Sequence, residues 1–147
     1  MSLVLDASVL VKLFRREEDS GIAKAAVASW AERALPLIAP HLVVYETLSV
    51  ALHYEVPFDI PLGLIAEMRR SGFRLIHPSI RELQLAETIA RHGQDAQAKP
   101  PQLRDSIYHA MAIERGGTFI TADRKHIEKT RYLGHVIALS EWRFDHD

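Results

Sequence analysis

Cysteine is absent from the 147 residues, so neither a disulfide bond nor a thiolate metal site can form. Charge of one sign is not in excess either, because 18 basic and 19 acidic residues give a formal net charge of −1. Dedicated DNA-binding modules are usually strongly basic, and this balance argues against broad electrostatic binding of nucleic acid. It does not exclude an enzyme that acts on a phosphodiester, since an acidic metal site offsets basic substrate-binding residues in the total.

Long apolar runs are also missing, and no stretch approaches the roughly 20 apolar residues that a membrane helix needs. The first residues lack a basic segment and carry an acid at Asp6. We therefore expect no signal peptide, no membrane contact and a cytoplasmic location. The eight histidines never stand at HxH or HxxxH spacing, which disfavours a zinc cage.

The composition, 48% hydrophobic and 25% charged, is that of an ordinary globular protein, and the length suits a single domain over residues 1–147. Short apolar runs alternate with helical patterns, which predicts an α/β fold. We expect one Rossmann-like three-layer domain, with a central, mainly parallel sheet of four or five strands flanked by helices. The predicted strands are 3–5, 37–39, 73–77, 118–121 and 136–139. The predicted helices are 8–15, 19–34, 41–53, 60–70, 79–93 (ended by Gly93) and 105–115, and residues 94–102 are predicted to form a mobile loop.

Two aspartates end short apolar runs: Asp6 follows Leu3-Val4-Leu5, and Asp123 follows Phe119-Ile120-Thr121-Ala122. Each is also a natural N-cap for the helix that follows. Chemistry in open α/β sheets lies in the crevice beyond the carboxyl ends of the strands. Two carboxylates in one crevice repel each other, and a cation or a shifted pKa normally relieves that repulsion. The pair therefore points toward a divalent-metal site.

Two further acids lie on predicted helices. Glu46 falls among apolar neighbours, where an ionised glutamate is rare unless it is paired or binds a metal. A modest rotation of the helix would instead place it on the solvent rim. Asp105 stands at a helix start, where acids are common for capping and dipole reasons alone.

Other polar residues near these acids have two interpretations each. Ser8 and Thr121 could bond a carboxylate or phosphate, or could serve ordinary turns. A solvated surface is the simpler role for the basic residues, with those after Asp123 the better candidates for phosphate contact. Asp95 is most simply solvated, and Trp30 and Trp142 are most simply core or interface residues. The basic residues concerned are Lys12, Arg16, Arg124, Lys125, Lys129 and Arg131.

At the four acids the sequence resembles the PIN-domain family, most closely the VapC-type toxins of prokaryotic toxin–antitoxin pairs. The matching segments are residues 3–12, residues 39–52 around Glu46, and residues 105–112 continuing through Gly116 into 119–123. Together they span nearly the whole domain in the family's order. By this resemblance the catalytic and metal-binding acids are Asp6, Glu46, Asp105 and Asp123.

The resemblance implies a Mg²⁺- or Mn²⁺-dependent endoribonuclease with a Rossmann-like fold, usually a homodimer, which a cognate antitoxin holds inactive. Asp6, Glu46 and Asp105 would hold the principal ion, and Asp123 would support it or a second one. The alternative is a catalytically silent PIN fold that serves as an RNA-binding or assembly module. The chain departs from the family pattern in its long segment 94–104, in Arg104 beside Asp105, and in His126, where the family often has an apolar residue.

Two rival folds fit the sequence less well. A HAD-type phosphatase needs a second acid two residues after its strand-end aspartate, and Ser8 stands there. A plain Rossmann-like ligand-binding domain needs a glycine-rich loop after the first strand, which Asp6-Ala7-Ser8 does not supply. The small apolar side chains of residues 23–30 predict either a groove for an antitoxin helix or ordinary core packing.

Overall fold

The structure is a computed structural model that describes residues 1–91 and 99–142. The predicted helix end at Gly93, the acid Asp95 and most of the predicted loop 94–102 lie outside the described residues. The strands are β1 (Leu3–Leu5), β2 (Leu37–Ala39), β3 (Arg74–Leu75), β4 (Thr118–Thr121) and β5 (Val136–Ala138). The helices are α1 (Ala7–Phe14), α2 (Ser20–Glu32), α3 (Leu42–His53), α4 (Asp59–Arg70), α5 (Ile80–Arg91), α6 (Leu103–Glu114) and α7 (Arg124–Thr130), with 3₁₀ turns at Arg131–Leu133 and Leu139–Glu141.

The strands form one parallel five-stranded sheet in the order β3-β2-β1-β4-β5. In the register of the two central strands Leu5 lies beside Ile120, so the chain continues on both strands into the positions of Asp6 and Thr121. All three side chains of β1 are fully buried, as expected for a strand covered on both faces. The predicted α/β fold with a parallel sheet is confirmed.

The edge strand β3 is shorter than predicted. The sequence pattern covers residues 73–77, whereas the strand contains only Arg74 and Leu75, with one further hydrogen bond from Ile76 N to Ala39 O (2.8 Å). Pro78 has no N–H to donate and restricts the residue before it, so pairing cannot continue.

Helices cover both faces of the sheet. On one face α1 packs with α2, α3 and α4; elsewhere α6 packs on β1 and β4 and carries α5. The Trp30 and Trp142 rings meet edge to face, with centroids 5.3 Å apart, and both residues are buried. Both tryptophans therefore belong to the core, as do Ala23 and Ala26 of α2. Among the described helices, none is long and apolar enough to cross a membrane.

Gly117 allows β4 to start beside β1. A Cβ at Gly117 would lie 2.1 Å from the carbonyl oxygen of Ser2, which accepts a hydrogen bond from Thr118 N (2.9 Å). Any side chain would displace this contact. The preceding Gly116 ends the segment after α6 with φ +63°, a left-handed conformation that glycine adopts without strain.

Helix α5 begins at a reciprocal cap that also joins it to α6. Ser79 N donates to Glu82 Oε1 (2.8 Å), and Glu82 N donates to Ser79 Oγ (3.1 Å). Arg115 Nε donates to the other oxygen of Glu82 (2.8 Å). Burial acts to raise the pKa of Glu82, but the hydrogen bonds from Arg115 and Ser79, together with the charge of Arg115, more than offset it and leave the pKa below its usual range.

Candidate active site

Asp6 is buried at the end of β1, and its carboxylate is fully engaged. Oδ1 accepts hydrogen bonds from Ser8 N (3.0 Å) and from the Ser8 hydroxyl, which also makes Asp6 the N-cap of α1. Oδ2 accepts a hydrogen bond from Thr121 Oγ1 (2.5 Å). The capping interpretation and the crevice interpretation of Asp6 therefore both describe the structure.

A small hydrogen-bond network joins the ends of β1 and β4. Ala122 N donates to Ser8 Oγ (2.9 Å), and Asp123 N donates to Thr121 Oγ1 (3.0 Å). The two hydroxyl oxygens lie 3.4 Å apart. Asp123 Oδ1 in turn accepts from Lys125 N (3.0 Å), so Asp123 caps α7. Ser8 and Thr121 thus hold both strand-end aspartates in place.

Glu46 lies at the margin of the buried face of α3. Its side chain is 17% exposed, and Oε2 lies 3.2 Å from Arg104 Nη1. Oε1 accepts a hydrogen bond from the hydroxyl of Tyr108. The apolar surroundings expected from the sequence are therefore only partly present, because Arg104 and the Tyr108 hydroxyl contact the carboxylate. The fully buried side chains of α3 are Val43, Thr47 and Ala51.

Asp105 does not cap its helix, contrary to the simplest reading of its position. Helix α6 begins at Leu103 with Gln102 as N-cap residue, so Asp105 falls within the first turn. Burial, together with the charges of Asp123 and Glu46, raises the pKa of Asp105 to about 6. Arg104 acts in the opposite direction. The charges of Asp123 and Glu46 both act on the Asp105 carboxylate. We therefore infer that α6 places Asp105 in the same crevice as these two acids.

Electrostatic coupling connects Asp6 to the same group. Burial raises the pKa of Asp6 to about 7, and the charges of Asp105 and Glu46 add to the rise, while the hydrogen bonds from Ser8 and Thr121 lower it. The structure therefore brings together the four acids that the sequence singled out, from β1, α3, α6 and the end of β4.

Tyr108 contributes a hydrogen bond to the candidate site, although it was not among the site residues predicted from the sequence. Burial and the nearby Glu46 raise the pKa of its hydroxyl far above the ordinary value, so the phenol stays neutral and donates to Glu46. A signal was present in the sequence: Tyr108 lies three residues after Asp105, which places both on one side of α6.

In the described part of the chain, the four acids are not arranged as a preformed metal-binding site. In residues 1–91 and 99–142 no three histidine, cysteine, aspartate or glutamate side chains are arranged closely enough to hold a metal ion. The oxygens of Asp6 and Glu46 are taken up by hydroxyl groups and Arg104. The donor set is nevertheless all oxygen, which suits a hard cation, and the raised pKa values are those of carboxylates lacking a counter-charge.

The basic residues near the site differ from expectation in one respect. Lys12 is buried, and its Nζ lies 3.2 Å from Glu17 Oε2, so the expected solvated role of Lys12 is wrong. The reason is that α1 packs inside the helical layer, where an ammonium group must find a partner. Arg124 donates to Ser140 Oγ (2.9 Å) and is exposed, as are Arg16, Lys125 and Arg131.

A cleft of about 600 Å³ opens beside the acids. We name it the α1–α3 cleft; its lining includes Ser8 and Asp123, and, where α1 and α3 end, Arg15, His53 and Tyr54. The guanidinium carbon of Arg15 lies 3.5 Å from the centre of the Tyr54 ring. Nothing in the sequence pattern indicates this contact, because the two residues come from different helices.

His126 is buried and uncharged, which allows a histidine at a position where the family pattern often has an apolar residue. Its Nε2 lies 3.0 Å from Nδ1 of His109, whose Nε2 lies 2.8 Å from the carbonyl oxygen of Gly134. Burial lowers the pKa of His126 to about 4, and the neighbouring His109 adds to the effect. The uncharged ring packs against Phe119 under the strand that leads to Asp123.

Comparison with solved structures shows the same fold in several proteins. A toxin–antitoxin complex from Klebsiella pneumoniae is 18% identical with a TM-score of 0.64, over 93% of this chain and 97% of that chain. The Mycobacterium tuberculosis toxin VapC20, described as cleaving the sarcin–ricin loop, is 16% identical with a TM-score of 0.62, over 82% of this chain and 87% of that chain. VapBC2 from Rickettsia felis, bound to a promoter DNA fragment, is 13% identical with a TM-score of 0.67, over 94% and 97%.

No curated protein matches the chain. The family model of the PIN domain matches residues 3–131, a span that runs from β1 through the four acids to the end of α7. Since this match covers most of the chain and the fold agrees with it, the chain belongs to the PIN domain family.

Proposed function

We propose that this PIN-domain protein is a metal-dependent endoribonuclease that hydrolyses RNA phosphodiester bonds at Asp6, Glu46, Asp105 and Asp123. The observation that carries the proposal is the mutual repulsion of these acids, which contributes to the raised pKa values of Asp6 (about 7) and Asp105 (about 6). Perturbed titratable groups gathered in a crevice are typical of catalytic sites. A domain with no use for the cluster would have no physical reason to keep it.

The chain's own residues have separable roles in this proposal. A Mg²⁺ or Mn²⁺ ion held by Asp6, Glu46 and Asp105, with Asp123 in support, would polarise the scissile phosphate and lower the pKa of the attacking water. Ser8 and Thr121 hold the Asp6 carboxylate at the end of β1. Tyr108 and Arg104 orient Glu46 in the same way. Outside the acid cluster, Arg124 and Lys125 are exposed and are the RNA-contact candidates.

We further propose that the chain is the toxin of a type II toxin–antitoxin pair. One solved structure of this fold is a toxin–antitoxin complex, and VapC20 is described as a toxin that cleaves the sarcin–ricin loop. An apolar cavity of about 470 Å³ lies between α2 and α4 and is lined by Val27, Ala31 and Phe73 among others. We propose that an antitoxin helix binds there through its apolar face.

A homodimer is part of the same proposal. Large apolar side chains stand exposed on α3 and α4, among them Leu52 (69%) and Ile60 (51%). Contacts between two copies would remove such surface from water.

The second candidate is a catalytically silent PIN domain that binds RNA or assists assembly. One observation favours it: the acids of the described ranges do not form a cage as they stand. The first candidate predicts cleavage of RNA and the second predicts none, so cleavage separates them.

The test is cleavage of a structured RNA pool by the purified protein, with Mg²⁺, with Mn²⁺ and with EDTA, after confirming that no antitoxin co-purifies. Asp6→Asn and Asp105→Asn are assayed beside it. The control is Asp59→Asn, which alters an exposed acid in the first turn of α4. Discrete metal-dependent fragments, lost in the first two variants and kept in the control, are expected.

Two results would contradict the proposal. No cleavage of tRNA, rRNA or mRNA with either metal would favour the silent module. Cleavage that survives Asp6→Asn or Asp105→Asn would mean a contaminating nuclease or a misassigned site.

A further inference from the structure

The α1–α3 cleft meets the acid cluster at Asp123 but contains a different kind of surface. Ser8 and Asp123 line it beside the acids, and Arg15, His53 and Tyr54 line it where α1 and α3 end. Its volume of about 600 Å³ lies within the range of pockets that hold small organic groups. A substrate strand held at Asp123 would therefore have its neighbouring nucleotide within reach of this cleft.

Three planar groups meet in the cleft, and two of them, the Arg15 guanidinium and the Tyr54 ring, lie one over the other. The Arg15 guanidinium lies over the Tyr54 ring at 3.5 Å, and the Tyr54 and His53 rings meet edge to face with centroids 4.7 Å apart. Tyr54 remains 47% exposed, so this assembly is accessible to solvent. Aromatic rings and arginine planes are the surfaces on which unpaired bases stack.

The charge of the cleft argues against a simple phosphate clamp. Lys12 Nζ lies 3.2 Å from Glu17 Oε2, and Arg15 Nη1 lies 3.5 Å from Glu17 Oε1. Glu17 therefore offsets much of the positive charge that a phosphate would need. The part of the uncharged Tyr54 ring that remains exposed then suits a neutral aromatic base better than a phosphate.

We propose that the α1–α3 cleft binds one unpaired RNA base adjacent to the scissile phosphate, through the stacked Arg15 and Tyr54 side chains. This assignment rests on the proposed action on RNA, and it adds a site for the base that lies beside the cleaved bond. A base in a duplex cannot enter, because it is stacked on its neighbours and paired to the opposite strand.

The test measures RNA binding in EDTA, so that cleavage does not intervene. The probe is an unstructured RNA of about ten nucleotides, near the site size of single-strand binders, carrying one 4-thiouridine for photocrosslinking. The same RNA annealed to its complement is the second probe. Affinity is read by fluorescence anisotropy, and crosslinked peptides are identified by mass spectrometry.

The variants separate stacking from charge and from folding. Tyr54→Leu is expected to weaken single-strand binding about 5- to 100-fold, the usual effect of losing one stacked base. Tyr54→Phe keeps the ring and should stay within about twofold of wild type. Arg15→Lys keeps the charge but loses the plane and should also weaken binding. Tyr132→Leu alters another exposed tyrosine outside the cleft lining and should have no effect.

The outcomes distinguish this proposal from the proposed nuclease. Crosslinks on residues 49–54 or 11–15, with preference for the single strand, support the cleft assignment even if no cleavage is ever found. Unchanged affinity of Tyr54→Leu overturns it even if the protein cleaves RNA, and leaves a peptide segment of a partner as the occupant. Full affinity of Arg15→Lys, or equal binding of the duplex, overturns it as well.

Discussion

The hydroxyl of Thr121, the last residue of β4, donates a 2.5 Å hydrogen bond to the carboxylate of Asp6, the residue that follows β1. The same hydroxyl accepts a hydrogen bond from Asp123 N (3.0 Å). One side chain thus links the two aspartates at the carboxyl end of the sheet. A threonine can do so because its hydroxyl both donates and accepts.

Thr121→Val should destabilise the metal-free protein at pH 8. The substitution keeps the shape but removes a hydrogen bond to a buried charge, a loss of about 1.5 to 3 kcal/mol in the free energy of unfolding. Urea denaturation measures it. The control is Thr47→Val, whose buried hydroxyl donates only to Val43 O within α3 and should cost less. Equal losses in the two variants would contradict the special role of Thr121.

Asp6→Asn should change how stability depends on pH. Burial raises the pKa of Asp6 to about 7 in the folded protein, against about 3.9 in an unfolded chain. Between these values the folded state binds more protons, so the free energy of unfolding of the wild type falls as pH rises. Asp6→Asn has no carboxylate to ionise at this position. Its free energy of unfolding should therefore rise relative to that of wild type by roughly 1 to 4 kcal/mol as the pH increases across that window.

Denaturation in EDTA at several pH values between about 4 and 8 measures this difference, since that range contains both pKa values. Asp59→Asn, an exposed acid, serves as the control and should follow the wild type. A stability difference between Asp6→Asn and wild type that stays constant with pH would contradict the raised pKa.

Added Mg²⁺ or Mn²⁺ should stabilise the protein more at pH 8 than at pH 5. The raised pKa values of Asp6 (about 7) and Asp105 (about 6) mean that both acids are largely protonated at the lower pH, and a metal ligand must be ionised. We expect an increase in Tm of about 2 to 8 °C at pH 8, reversed by EDTA. The same increase in Asp105→Asn would show that the metal binds elsewhere.

His126→Leu should cost about 1 to 2 kcal/mol at pH 7, because Nδ1 of His109 loses its partner. Burial lowers the pKa of His126 to about 4, below the ordinary value of about 6.5. As pH falls between these values, the unfolded wild type takes up more protons than the folded one and stability is lost. The leucine variant has no such group to protonate. The difference in the free energy of unfolding between wild type and His126→Leu should therefore become smaller toward pH 4.

Urea titrations of both proteins at pH 7 and near pH 4.5, a value inside that window, test the prediction for His126. His41→Leu, at an exposed position, is the control and should show no such convergence. A gap that widens on acidification would mean that His126 is charged in the folded state.

Gly117→Ala and Gly63→Ala should act in opposite directions. At Gly117 the new methyl group would lie 2.1 Å from the Ser2 carbonyl oxygen, so β1 and β4 must separate locally, at a cost of roughly 2 kcal/mol or more. At Gly63, inside α4, nothing lies within 4 Å, and alanine should stabilise by about 0.5 to 1 kcal/mol. Thermal melts of the two variants check both signs. A neutral Gly117→Ala would contradict the close approach.

Much of this architecture could be predicted from the sequence. Continuous apolar runs such as Leu3-Val4-Leu5 indicate strands buried on both faces, and helical patterns between them indicate parallel crossovers. Since parallel strands end at one edge, Asp6 and Asp123 had to be close. The edge strand was overestimated, because local pattern does not show that Pro78 stops pairing after Ile76.

The site could be predicted only as a set of residues. That Asp105 lies within the first turn of α6, that Glu46 turns toward the rim, and that Lys12 is buried against Glu17 all depend on how the helices are rotated and packed. The period of apolar residues predicts which face of a helix is buried only to within about one residue. Successive residues are rotated by about 100° around the helix axis, so an error of one residue changes the neighbours of a side chain. The rotations decide which partners an acid meets.

By itself the sequence determined the sheet and the order of its helices, because the burial of apolar runs follows from local pattern, and it placed Asp6 and Asp123 at the ends of parallel strands. The candidates Glu46 and Asp105 came from the resemblance to the PIN-domain family. The tertiary structure decided the rest. Thr121 holds Asp6, Tyr108 and Arg104 hold Glu46, and Arg15 lies on Tyr54. Each of these contacts joins elements far apart in the chain, so its distance and its effect on a pKa exist only once the layers have packed.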